Sequence, residues 1–121
     1  MKWLSDNMDG KRHYGYMGTE LDDDSLPVAR DALVFMVVSL NDRWKLPVGY
    51  FLIAGLGVSE RRNLVMQGLE KLHSVGATVK SLTCDGASAN LSMIKHLGCN
   101  FECETVESAF PHPVTHRHQF A

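Results

Sequence analysis

The chain has 121 residues, 45% hydrophobic and 21% charged, with a formal net charge of -2, which is the size and balance of one globular domain or part of one. A pI near 6.3 with both signs of charge interspersed excludes a strongly basic nucleic-acid surface made by this composition alone. Three cysteines, Cys84, Cys99 and Cys103, are odd in number and irregular in spacing; they exclude a disulfide scaffold and point to a reducing compartment.

Along the chain, Asp9-Gly10 is a turn signal, and His13-Tyr14-Gly15-Tyr16-Met17 after it suits a short strand. Residues 19–27 carry Glu20, Asp22, Asp23 and Asp24, and read as a solvated acidic loop rather than a metal site. Residues 32–40 are nearly continuous in apolar and β-branched side chains, which predicts a strand buried on both faces. After an Asn41-Asp42-Arg43 turn, residues 44–54 predict a second, antiparallel strand. Pro47 within it cannot donate to a ladder, so that strand is expected at a sheet edge or beginning after the proline.

Ser59 is a candidate N-cap, and Leu64, Val65, Leu69, Leu72 and Val75 follow at helical spacing, with Gly76 as the stop. Residues 77–84 predict a third strand, joined to its parallel neighbour by a right-handed crossover. Asp85 or Ser88 caps a second predicted helix with Leu91, Ile94 and Leu97 on one face, ended by Gly98. Beyond it, Pro111, Pro113 and three histidines lie in a stretch with little periodicity. That stretch is expected to be irregular or disordered. No apolar run is long enough to span a bilayer, and the first residues lack an apolar signal region, so the chain is expected to be neither membrane-bound nor secreted.

The candidate chemistry centres on Asp85, at the carboxyl end of a predicted strand, where open α/β sheets place ligand sites. One reading makes it a metal-binding carboxylate. Phosphoryl-transfer enzymes use paired acids to hold two divalent cations about 3.5–4 Å apart, and the oxygen ligand suits Mg²⁺ or Mn²⁺. The other makes Asp85-Gly86 a turn, or Asp85 a helix cap. Cys99, Cys103, His112, His116 and His118 have zinc-type donors without the spacing of a known finger, and prolines interrupt any helix that would present the histidines. Cys84, on a predicted strand, reads as a small core residue, and His73 and His96 as favourable cations near helix C-termini.

Four blocks follow in order along the chain: Asp9-Gly10-Lys11-Arg12-His13-Tyr14-Gly15-Tyr16; Leu26-Pro27-Val28-Ala29 leading into the first long apolar run; Trp44-Lys45-Leu46-Pro47-Val48-Gly49-Tyr50-Phe51; and Leu82-Thr83-Cys84-Asp85-Gly86-Ala87-Ser88-Ala89-Asn90. Together they resemble P-element-type transposases, including the THAP-domain transposase relatives of animals, the first block being similar to that family's DGK-x-x-x-GY segment. The resemblance implies an α/β fold: a partial RNase H-like domain over residues 1–98, with an irregular tail over 99–121. The implied sheet is mixed, in the family's strand order 3-2-1-4 with strand 1 incomplete, and carries two helices. In that order residues 32–40 are strand 2, residues 44–54 the edge strand 3, and residues 77–84 strand 4.

The resemblance further implies that Asp85 is the family's second catalytic acid and a metal ligand, with Mg²⁺ or Mn²⁺ as cofactor of the intact parent and none held by this chain. The family's first acid is expected upstream of Met1 and its third far downstream, with the zinc-containing DNA-binding domain also outside the chain; Asp6 and Asp9 follow the expected first position and do not take its role. The end, Arg117-His118-Gln119-Phe120-Ala121, is expected to be a truncation or a frameshift. The function so implied is that of a fragment of a DNA transposase, inactive alone, whose parent cleaves and transfers DNA strands in the nucleus; a location in the cytoplasm is the fallback. Two alternatives stand beside it. One is an interaction module that pairs with another copy or another protein through an exposed sheet edge near Phe35. The other is a small zinc-binding protein that uses Cys99, Cys103 and the tail histidines.

Overall fold

The computed structural model describes residues 2–3, 29–102 and 104–120. The expected strand at 13–17, the acidic loop at 19–27, and Asp6, Asp9 and Cys103 lie outside the described residues. Its contacts divide the chain into two compact units, residues 1–55 and 56–121, each with its own secondary structure.

The first unit is an antiparallel sheet of β1 (Lys2–Trp3), β2 (Asp31–Val38) and β3 (Lys45–Ile53), in the order β1-β3-β2. The long strands pair as expected, from Asp31 against Ile53 to Val38 against Lys45. Their turn is closed by the Ser39 amide donating to the Trp44 carbonyl at 3.1 Å and the Asp42 amide donating to Ser39 Oγ at 2.9 Å. The order corrects the expected one. Lys2–Trp3 pairs with Tyr50 and Gly49, so β3 is the middle strand and not an edge. Pro47 is accommodated another way. The register shifts between Phe35 and Met36, so that Phe35 faces Gly49 and Met36 faces Pro47, while β1 reaches only Gly49 and Tyr50. Pro47 thus pairs next to an irregularity of the ladder, where a missing N–H is tolerated.

Burial on both faces of residues 32–40 is also corrected. Leu33, Phe35 and Val37 are half-buried, whereas Val34, Met36 and Val38 between them are 51%, 51% and 62% exposed. An antiparallel sheet can leave one face open, whereas continuous apolar runs are characteristic of parallel sheets covered on both. On the covered side Phe35 lies diagonally across from Phe51, ring edge to ring face, with centroids 5.7 Å apart.

The second unit holds α1 (Val58–Ser74), α2 (Ser88–Leu97), β4 (Ala109–Pro111) and β5 (His118–Phe120). Leu64, Val65 and Leu69 of α1 are buried together with Met93, Ile94 and Leu97 of α2, which is the result of apolar side chains recurring every three or four positions. Helix α1 starts earlier than Ser59: Gly57 is the N-cap, and Glu60 reaches back to accept its amide at 2.7 Å. At the other end the Gly76 amide donates to the His73 carbonyl and that of Ala77 to Leu72, with Gly76 at φ +82°. That pair of bonds satisfies two orphan carbonyls and needs a left-handed residue at Gly76. Helix α2 is capped by Ala87 with no side-chain bond, so neither Asp85 nor Ser88 is its N-cap residue, and Leu91 is exposed rather than buried.

Two further expectations change here. Residues 77–84 form no strand; Ser81 alone occupies a bridge position. A strand requires a neighbour for its backbone groups, and among the described residues none runs beside this segment. Among the described residues every strand pairing of this sheet is antiparallel, in place of the expected mixed sheet. Conversely, residues 99–121 are not simply irregular. Asn100 and Glu107 exchange both backbone hydrogen bonds, and β4 pairs with β5 from Ala109–Phe120 to Pro111–His118. Phe110 on β4 is fully buried. Among the described residues no helix is long and apolar enough to cross a membrane.

Candidate functional site

Asp85 stands in the loop that leads into α2, exposed to solvent. Its Oδ1 accepts two hydrogen bonds, from the Ala87 amide at 3.1 Å and from Asn90 Nδ2 at 2.7 Å. The first is an Asx-type turn, in which an aspartate oxygen bonds the backbone two residues on. The second comes from the first turn of α2. Asn90 is itself held: its Oδ1 accepts from Arg61 Nη1 of α1 at 3.3 Å, and Arg61 Nε donates to the Leu56 carbonyl at 3.4 Å. A guanidinium, an amide and a carboxylate thus form one chain in which every donor points toward the aspartate. Among the described residues Oδ2 of Asp85 carries no hydrogen bond.

The loop borders an open pocket of about 290 Å³ lined by Leu82, Cys84, Asp85, Leu91, Ile94 and Phe101. Its wall is mainly apolar, and Asp85 supplies the charge at its rim. Cys84 is exposed, so it is not the core residue expected from a strand position. Desolvation and the neighbouring Asp85 carboxylate push its thiol above the ordinary range. Both effects disfavour the thiolate, which is the form a nucleophile or metal ligand needs.

Among the described residues the expected zinc donors do not converge. Among the described residues no three of His, Cys, Asp and Glu are grouped to hold a metal ion. Cys99 is buried, and burial followed by the Glu107 carboxylate raises its thiol. His112 is buried at 3% exposure, and its Nδ1 accepts the amides of Val114 at 3.1 Å and Thr115 at 3.3 Å. Those bonds close the turn of the β4–β5 hairpin and occupy Nδ1, and the ring is also bonded to the Leu69 backbone. The side chain of His118 lies outside the described residues.

The sequence profile of the TNP-like, RNase H N-terminal domain family matches residues 2–98. The chain belongs to that family. This bears out the resemblance to P-element-type transposases carried by the four sequence blocks. Over 102 residues, 84% of this chain, the family member is 28% identical to the DNA transposase THAP9 of Homo sapiens, and it spans 11% of the length of that relative. No solved structure matches the chain.

Asp85 was legible from its place before a helix and after an apolar run. Asn90 and Arg61 were not. The available signal was an asparagine at the third helical position, from which a short polar side chain reaches back over the helix start. Arg61 is 29 residues from Asn90 in sequence, and only the packing of α1 on α2 reveals the pair.

Proposed function

We propose that this domain is part of the RNase H-like catalytic core of a P-element-type DNA transposase, whose parent performs metal-dependent DNA strand cleavage and transfer, with Asp85 as one of its metal-ligating acids. The observation that carries the reading is an exposed carboxylate, in the family's matched region, with one oxygen fixed and the other open at a pocket rim. A hard oxygen donor of this kind fits Mg²⁺ or Mn²⁺. Bound there, such a cation supplies Lewis-acid polarisation of a phosphate oxygen. Asp85 contributes the negative charge that attracts it, and the turn through Ala87 fixes the direction in which that charge is offered.

One carboxylate does not make a two-metal site, and the remaining acids belong to the parent. On this reading the isolated chain does not cleave DNA, and the parent works on DNA in the nucleus. The test is Asp85→Ala in the full transposase that contains this domain. We expect Mg²⁺-dependent strand cleavage to fall by at least about 1,000-fold while DNA binding persists. Cleavage at wild-type rate in that variant would remove Asp85 from the catalytic set.

A further inference from the structure

We propose that Asn90 and Arg61 are positioning residues for Asp85, acting as a relay that ties down one carboxylate oxygen so that the other is offered singly to a divalent cation. The inference rests on the reading of Asp85 as a metal ligand and goes beyond it in assigning two residues, one on each helix, to its support.

The hydrogen-bond polarity fixes how the relay works. An asparagine side chain has one acceptor end and one donor end. Arg61 has donors only, so it takes the Oδ1 end of Asn90 at 3.3 Å, which turns Nδ2 toward Asp85 at 2.7 Å. With the amide reversed, both contacts would be repulsive. A cationic donor on the acceptor end also polarises the amide and strengthens the bond it makes at the other end. Arg61 is in turn oriented by the Leu56 carbonyl and by its half-buried place on α1. A capping role for α2 needs only the Ala87 bond. The additional reach across to α1 has no part in starting that helix. Outer-shell partners that orient a metal-ligating carboxylate change metal affinity on the order of 10- to 100-fold when removed.

The test uses this chain and Mn²⁺ alone, read by paramagnetic broadening of backbone amide resonances, with far-UV circular dichroism as a check on the fold. In the wild type we expect broadening centred on residues 84–88, absent in Asp85→Asn. Asn90→Ala is expected to weaken Mn²⁺ at that centre by about 10-fold, and Arg61→Ala to weaken it by a smaller factor, with helix content unchanged. In Arg61→Ala the Asn90 side-chain amide resonances should also move toward those of a free asparagine. A second variant, Arg61→Lys, keeps a donor and should recover part of the affinity.

Three outcomes overturn the proposal in different ways. Broadening centred on Asp85 that is the same in wild type and Asn90→Ala leaves Asp85 a metal ligand but makes the relay irrelevant to it. Unchanged Asn90 amide resonances in Arg61→Ala remove the Arg61 limb. Absence of Asp85-centred broadening from the wild type overturns the relay, which is then only a brace between helices, while the ligand reading is decided separately by Asp85→Ala in the full transposase.

Discussion

At the scale of single residues, the second unit places two groups of opposite habit. Asp85 is exposed and braced from one side, whereas His112 is buried and bonded on both sides of its ring. Desolvation comes first, then the charge of His73, whose ring lies 5.5 Å away, in holding the His112 imidazole below its ordinary value of 6.5. His116 acts in the same direction; a bond to the Leu69 backbone and the Glu70 carboxylate oppose it. Because the folded value is depressed, the unfolded chain takes up a proton near pH 6.5 that the folded chain does not. The contribution of His112 is therefore complete above about pH 6.5, is lost as pH falls from there, and levels off once pH is below the folded value. His112→Phe keeps a ring in the cavity and gives up the polar bonds. We expect it to cost about 1–2 kcal/mol at pH 7.5 and to flatten the loss of stability between pH 7 and pH 5, measured by urea unfolding at each pH. A slope as steep as that of the wild type would assign the effect to the other histidines.

At the scale of elements, glycines separate backbone need from crowding. Gly76 at φ +82° closes α1, and a Cβ there would meet nothing within 4 Å. Gly76→Ala should therefore cost about 1–2 kcal/mol through conformation alone. Gly86 beside Asp85 has equally open surroundings and no positive φ, so Gly86→Ala should change stability by less than about 0.5 kcal/mol. Thermal melts of the two variants compare them directly. The same elements show what could be read from the chain. Leu64, Val65 and Leu69 announced α1 because the helical period survives whatever packs on it, and Gly76 announced its end. The hairpin of 32–54 was equally plain, although its pairing partner β1 was not: two residues carry no pattern. Residues 77–84 had the composition of a strand, but a strand is completed by a neighbour that composition does not specify. The β4–β5 pair was missed for the opposite reason. Its strands are three residues each, too short for a period, and what fixes them is the burial of Phe110 and His112. At the site, Asp85 stood in a matched block, while Arg61 entered through a helix packing that no local signal encodes.

At the scale of the whole molecule, the sheet of the first unit presents Val34, Met36 and Val38 on an open face, with Tyr50 across from Val34 at 42% exposure. An apolar row on a small sheet is a liability for self-association. The double variant Val34→Thr and Met36→Gln keeps strand-compatible shapes and should raise the concentration at which the chain stays in solution, with less than about 1 kcal/mol change in stability. Light scattering against concentration would show it; unchanged association would place the sticky surface elsewhere. The second unit carries a different consequence, one of order in time. Its core is closed by Phe110, 13 residues after Leu97, the last apolar position of α2. A nascent chain emerges N-terminus first at about 5–20 residues per second, so the helix pair is exposed for roughly one to three seconds before the residue that seals it exists. For that interval the apolar faces around Leu64, Leu69, Ile94 and Leu97 lack one of the most deeply buried side chains of the finished unit.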